Sequence, residues 1–347
     1  MEEKILSASR IKTFQECSWK YWCNYVLKIP SPQNSGAARG TACHLILELL
    51  LKPKHKKYFD KILKENSIFG CPAVVKVVER SLKKDGEFDT EDNMKKCSAM
   101  IVVGLQYDFF GEDGLVESGE QAFLLESEDP KYKVLGFIDK PVQYPKNKSL
   151  KIVDYKSSKN KFVGEEITAN IQAMVYTLAA KKLWPSLKDI VVEFLFLKFP
   201  RNPAMQIAVG EDQLTGFEYY LANVYEAINS FSEEDAKTNF ASDHPFPNKD
   251  EGFKGPLMCG FAKEKGQLKK NGEIMWHCPY KFDVDYYGLV NEAGVVVSSA
   301  FNKKDLKSKD GHKIQKLHYE GCPAHRKTHT DDWLDGQVND PKDDFDF

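Results

Sequence analysis

Two carboxylates and a lysine lie at a spacing that could do chemistry. Asp139 ends the run Gly136-Phe137-Ile138-Asp139, and a second run reads Ile152-Val153-Asp154-Tyr155-Lys156. Between them Pro145-Lys146-Asn147-Lys148-Ser149 is a turn sequence. When the flanking strands fold about that turn, the numbers of pairing residues sum to a constant. Asp139 and Asp154 centre inside the turn, so the two carboxylates fall opposite or nearly opposite each other. Cross-strand neighbours have Cβ atoms about 5 Å apart and like charges there repel, so this pair needs something positive between its members. A divalent cation with oxygen ligands meets the need. Strand alternation also places Asp154 and Lys156 on one face, about 7 Å apart. Such a lysine can hold or help deprotonate an attacking water and neutralise charge developing on a phosphorane. The competing picture is a solvated hairpin with an Asp–Lys pair on its wet face. The preceding runs, 134–138 and 150–153, are too apolar for that, while Pro141 marks an edge or a bulge nearby.

The elements that must position these residues can be read outward from the hairpin. Residues 7–29 read as a helix, capped by Ser7 or Ser9, with Ile11, Phe14, Trp19, Trp22 and Tyr25 as its apolar mass. A break, Ser35-Gly36-Ala37-Ala38-Arg39-Gly40, precedes a second helix carrying His44 and Glu48. A Lys/Glu-rich stretch over 52–115 reads as an inserted set of helices. Strands are expected at 121–126, 134–142 and 150–156. A helix at about 164–183 follows, with an apolar stripe of Ile167, Ile171, Met174, Val175 and Leu178. A buried strand at 190–199 and a helix at about 211–232 complete a mixed α/β order around one sheet. From 236 the chain is rich in Gly, Lys and Asp and holds three cysteines and six of the eight histidines. That gives three parts: a core over 1–235, an irregular cysteine- and histidine-bearing region over 236–330 packing on it, and a tail over 331–347.

The bulk composition narrows the classes. With 42% hydrophobic and 29% charged residues the chain has an ordinary globular balance. The longest apolar run, 190–199, is interrupted by Glu193 and is too short to cross a bilayer. The start, Met1-Glu2-Glu3-Lys4, leads into no apolar signal core. A soluble cytoplasmic protein is expected. The net charge is −2, but residues 331–347 hold seven Asp and one Lys, so the rest of the chain carries +4. A mildly basic body with an acidic tail is compatible with a nucleic-acid substrate. Eight scattered cysteines without signs of export suggest buried thiols or metal ligands rather than disulfides.

Taken in order, these motifs resemble the PD-(D/E)xK nuclease superfamily, and within it the RecB-type exonuclease branch that includes the AddB and CRISPR-adaptation nucleases. The resemblance covers roughly residues 7–200: Ser7-x-Ser9 leading to Cys17, Gly40-Thr41-x-x-His44, Gly136-Phe137-Ile138-Asp139, Asp154-Tyr155-Lys156 and Gln172-x-x-x-Tyr176. It implies a restriction-endonuclease-like mixed sheet flanked by helices. It also implies that His44, Asp139, Asp154 and the main-chain carbonyl of Tyr155 ligate Mg²⁺ or Mn²⁺. Lys156 would position or activate the water, and Gln172 and Tyr176 would orient the lysine or the scissile phosphate. Glu120, just before the first strand, is a candidate for an outer role. In several members of that branch one N-terminal and three C-terminal cysteines hold an iron–sulfur cluster. By that resemblance Cys17, Cys259, Cys278 and Cys322 are the candidate ligands of a [4Fe–4S] cluster. Ser18 stands where a proline is common, and the wide intervals after Cys259 and Cys278 depart from the tight family spacing. Zinc held by Cys259, Cys278 and Cys322 with His277 or His325 is the rival, and unrelated free thiols the third reading.

The expected activity is hydrolysis of DNA at ends or in single strands, in replication, recombination or repair, within a bacterial or phage-infected cell. No G-x-x-x-x-G-K-[ST] loop is present, so duplex unwinding would fall to a partner helicase. The tail end, Asp343-Asp344-Phe345-Asp346-Phe347, resembles the acidic tips that recruit replication and recombination proteins; a solubilising tail and a DNA mimic are the alternatives. Trp19, Trp22 and Tyr25 are candidates for base stacking or for the core. A non-catalytic DNA-binding scaffold and a zinc-stabilised interaction module are the competing functions.

Overall fold

The computed structural model describes residues 3–116, 119–243, 259, 265–268, 270, 275–307 and 309–325. The helices in chain order are α1 (Ala8–Glu16), α2 (Ser18–Tyr21), α3 (Ser35–Leu51), α4 (Lys56–Glu65), α5 (Pro72–Lys84), α6 (Glu91–Gln106), α7 (Glu165–Thr168), α8 (Ile171–Leu183), α9 (Glu211–Ser230) and α10 (Glu233–Ala236). The strands are β1 (Leu115–Val116), β2 (Gln121–Glu128), β3 (Lys131–Ile138), β4 (Lys140–Tyr144), β5 (Ser149–Lys156), β6 (Asp189–Phe196), β7 (Ala204–Ile207), β8 (Val284–Val290), β9 (Val296–Ala300) and β10 (Lys313–Tyr319). The chain divides into two compact units, one of residues 1–12 and 33–230, the other of 13–32 and 231–347.

The first unit is a mixed α/β fold around a five-stranded sheet of order β1-β4-β5-β6-β7, in which β5 and β6 run parallel and the other pairs antiparallel. β5 reads Ser-Leu-Lys-Ile-Val-Asp-Tyr-Lys and is covered on both faces, the usual position of a strand with a parallel neighbour. On one side Val142, Val153, Tyr155 and Leu195 pack into a core with Ile46, Leu47 and Leu50 of α3 and Met100, Ile101 and Leu105 of α6. Asn34 starts α3 by accepting the N–H groups of Gly36 and Ala37, each at 3.0 Å. Thr90 caps α6 in the same way, with Glu91 and Asp92 in its first turn. The stretch 52–115 is thus largely helical, and its helices bury their apolar faces against α3 and the sheet.

Three expectations about elements need correction. The predicted strand 134–142 breaks at Asp139: β3 pairs with β2 in a separate two-stranded sheet, and β4 joins the central one. The predicted helix 164–183 is two helices, because Asn170 caps a new start by accepting the N–H of Ala173 at 2.9 Å. Its buried face is not the Ile/Met/Leu stripe but Ala173, Val175, Tyr176, Thr177, Ala179 and Ala180, while Ile167 is exposed. Small side chains let α8 approach the sheet closely. The predicted helix 7–29 is interrupted at Cys17, whose Sγ accepts the N–H of Lys20 and caps α2.

The second unit gathers residues 13–32 with the C-terminal part of the chain. Phe231 is ringed by Phe14, Tyr21 and Trp22 at centroid distances of 5.1, 5.8 and 5.9 Å. Trp19 is buried, and its indole N–H donates to the Tyr319 hydroxyl at 2.8 Å, so these aromatics serve the core. The region expected to be irregular contains a three-stranded antiparallel sheet of order β10-β8-β9. Its strands are short and interleaved with lysine and serine, which hid the alternation. The acidic tail 331–347 lies outside the described residues. Among the described residues no helix is long and apolar enough to cross a membrane.

Candidate active site

Two close backbone approaches bring the chemistry-bearing residues of the first unit together. A Cβ on Gly40 would come 2.7 Å from Ser157 Oγ, so the absent side chain lets α3 press against the residue following Lys156. A Cβ on Gly136 would run into the Phe123 ring at 2.3 Å; the glycine lets that ring lie across the hairpin just before Asp139. The register of β4 and β5 pairs Lys140 with Val153 and Pro141 with Ile152, and extending it by one residue sets Asp139 against Asp154.

Asp154 is 3% exposed and sits in a closed network. Its Oδ1 accepts from Gln172 Nε2 at 2.7 Å and from the Tyr176 hydroxyl at 2.9 Å. Gln172 Nε2 also donates to Tyr176 at 2.7 Å, and its Oε1 accepts from Lys156 Nζ at 2.6 Å. Lys156 Nζ lies 2.6 Å from Asp154 Oδ2. That short ion pair sets the ammonium directly against the buried Oδ2. Such an oxygen keeps a lone pair for a further ligand. Burial raises the pKa of Asp154; the Lys156 ammonium opposes this, and the Asp139 carboxylate adds to it. Tyr176 is held well above its usual value by burial and by the Asp154 carboxylate, so it stays a hydrogen-bond donor.

Asp139 Oδ2 accepts the Tyr155 backbone N–H at 2.9 Å and lies 3.4 Å from His44 Nδ1. For His44 burial works against the imidazolium. The hydrogen bond to Asp139, the carboxylates of Asp139 and Asp154 and a backbone hydrogen bond to Tyr155 outweigh it, and the pKa is raised. Tyr155 turns its own ring to the opposite face, where it is buried and lies edge-on to His44 at 5.9 Å. Two carboxylates and one imidazole form a donor set suited to Mg²⁺ or Mn²⁺. Among the described residues no three His, Cys, Asp or Glu side chains are arranged to hold a metal ion as they stand. Here Lys156 faces Asp154 Oδ2, and the Tyr155 N–H engages Asp139.

Glu120, the candidate for an outer role, has its carboxyl raised by burial and by the charges of Asp139 and Glu48. Sequence reasoning missed one feature of this unit. Lys140, directly after Asp139, is 1% exposed and donates to the carbonyls of Asp108 and Phe109 at 3.2 Å. A lysine beside a proline at a strand start gave no sign of that depth.

In the second unit one pocket is lined by Cys17, Cys259, Cys278, Cys322 and His325. The Cys278 N–H donates to the Cys259 carbonyl at 2.6 Å, and Cys259 Sγ lies 3.0 Å from His325 Nε2. Burial pushes the thiols of Cys278 and Cys322 up to about 11 and about 12. Of the zinc candidates, His325 is at the pocket, whereas His277 packs on Phe282 and is not among its lining. Cys23, a further thiol of this unit, is buried against the Tyr319 hydroxyl at 3.5 Å and was not singled out by the sequence.

A family model described as the PD-(D/E)XK nuclease superfamily matches residues 5–248. Among solved structures, a protein of Eubacterium rectale, described provisionally as an exonuclease, is similar at 11% identity and a TM-score of 0.38. The match covers 68% of this chain and 89% of that one. No curated protein matches this chain.

Proposed function

This chain belongs to the PD-(D/E)XK nuclease superfamily, and on that premise we propose that it is a Mg²⁺- or Mn²⁺-dependent deoxyribonuclease of the RecB type, acting on DNA ends or single strands. The observation that carries the reading is the closed network of Asp154, Lys156, Gln172 and Tyr176 beside the His44–Asp139 pair. Asp139, Asp154, His44 and the Tyr155 carbonyl would hold the cation, which polarises a phosphodiester and lowers the pKa of bound water. Lys156, fixed between Asp154 and Gln172, positions the attacking water and offsets charge on the phosphate as it is attacked in line. Gln172 and Tyr176 hold the Asp154 carboxylate, and through it the lysine, in place.

The soft donor set in the second unit supports a [4Fe–4S] cluster on Cys17, Cys259, Cys278 and Cys322, with zinc on three of these thiols and His325 as the alternative. Thiols raised by burial give up their protons only to a strongly bound cation or cluster. The division of labour follows: a nuclease unit, and a cysteine-bearing unit stabilised by its cofactor. The work proposed is recombination or repair in the cytoplasm of a bacterial or phage-infected cell, with a helicase or replication protein recruited through the acidic tail. The test is cleavage of end-labelled single- and double-stranded DNA with Mg²⁺ or Mn²⁺, beside Asp154→Ala, Lys156→Ala and an EDTA control. Cleavage lost in both variants and in EDTA is the expected result. A folded, cofactor-loaded protein that binds DNA without cutting it would point to a scaffold instead.

A further inference from the structure

The β2–β3 hairpin has two unlike faces. On one, Phe123, Leu125, Tyr132 and Val134 are buried, and the hairpin packs on α8 and α9. On the other, Leu124, Leu135 and Phe137 are 44%, 40% and 47% exposed. The register pairs Ala122 with Phe137 and Leu124 with Leu135, so these form two adjoining apolar rows across both strands. One step beyond the last pair, Gln121 with Ile138, the same register sets Glu120 against Asp139. Side chains alternate along a strand, so Glu120 and Asp139 belong to the exposed face, one row from Ala122 and Phe137. The charges of Asp139, Glu48 and His44 felt by Glu120 agree with that placement. At the far side the apolar rows end at Glu126 and Lys133, an ion pair of 3.4 Å.

The same-face order is therefore two carboxylates, two neutral apolar rows, then an ion pair, with rows about 7 Å apart. A sugar–phosphate backbone is repelled by Glu120 and Asp139 wherever no cation intervenes, whereas an uncharged aromatic base is not. An apolar aromatic surface one row from the phosphate-cleaving centre matches the face of a nucleobase. Bases inside a duplex already stack on each other, so only an unpaired or terminal base can use it. We propose that this face is a base-binding platform, with Phe137 stacking on the unpaired base next to the scissile phosphate, and that it directs the enzyme to single strands and frayed ends. The proposal rests on the nuclease reading above and goes beyond it by giving a substrate-binding role to Phe137, to which the family resemblance assigns none.

The test is fluorescence anisotropy of a fluorescein-labelled oligodeoxynucleotide with the full-length, cofactor-loaded protein, Ca²⁺ replacing Mg²⁺. Phe137→Ala is expected to weaken single-strand binding about tenfold, the scale of losing one stacked base. Phe137→Trp should retain it. A covalently closed circular duplex, which has neither ends nor unpaired bases, should bind wild type and both variants alike. An abasic nucleotide beside the cleaved linkage should remove the difference between wild type and Phe137→Ala, which a merely structural role would not do. Equal melting temperatures exclude misfolding, and Leu135→Ala, with a smaller loss in the same direction, stands in if Phe137→Ala melts early. Unchanged single-strand affinity in Phe137→Ala overturns the proposal while leaving the nuclease intact. So does a wild-type dimer that Phe137→Ala converts to monomer without change in DNA affinity, because a second copy then covers the face. Wild-type protein that neither binds nor cuts any DNA would overturn the nuclease reading itself, and this inference with it.

Discussion

With Oδ1 of Asp154 taking two donors and Oδ2 facing an ammonium, a buried carboxyl group is held in one rotamer. Hydrogen bonds to ionised groups contribute about 1.5–3 kcal/mol each, so the loss of the Tyr176 hydroxyl should loosen Asp154 without removing it. Tyr176→Phe is accordingly expected to lower kcat about tenfold. Lys156→Ala removes the group that positions water and offsets charge, and a loss of about 10²–10⁴-fold is expected. Single-turnover cleavage at saturating DNA measures both, and a Lys156→Ala variant that cuts at the wild-type rate would contradict the role given to the lysine.

At the scale of elements, α3 determines whether His44 reaches Asp139. Leu47, fully buried one turn beyond His44, packs against the helix backbone near Gly104. Leu47→Ala should cost about 2–5 kcal/mol, read as a lower urea midpoint at unchanged slope. Gly40→Leu should act differently, displacing α3 from Ser157 and lowering turnover about hundredfold, the cost of misplacing a reacting group by an ångström. The strand pair β4–β5 carries a pH signature as well. Burial, and then the Lys151 ammonium, lower Lys140 to about 8. Between that value and the ordinary lysine range the unfolded chain binds the extra proton, so this residue's contribution to stability rises with pH across the window. The unfolding free energy of wild type relative to Lys140→Met should therefore improve from pH 8 to pH 10. A flat difference would show that Lys140 stays charged in the fold.

For the molecule as a whole, the cysteines decide how far stability depends on a cofactor. Cys17 and Cys322 lie near opposite ends of the chain and line one pocket, so a ligand bound to both closes a very long loop and stabilises the second unit chiefly by restricting the unfolded chain. Anaerobically purified wild type should be coloured and contain iron. Cys278→Ser should be colourless with a lower melting temperature, and Cys23→Ser should keep its colour. Stoichiometric zinc without visible absorbance would favour the alternative with His325.

The local parts of this protein were legible in the sequence because local interactions set them. A turn and strand alternation suffice to oppose Asp139 and Asp154, and the observed pairing of Lys140 with Val153 follows the same register. The order of motifs was enough for the superfamily, since each motif is carried by neighbouring residues. What lay beyond short range was decided by the tertiary structure. The break at Asp139 arises because β2 claims β3 while β5 claims β4, a competition between partners distant in sequence. The buried face of α8 follows from how closely the sheet lets it approach, which favours alanine and threonine over the larger stripe. Lys140 is buried because the carbonyls of Asp108 and Phe109 receive its ammonium, and a single strand's pattern carries no trace of them. The meeting of Cys17 with Cys259, Cys278 and Cys322, and the place of Cys23 beside them, depend on chain closure over hundreds of residues, for which periodicity and spacing hold no signal.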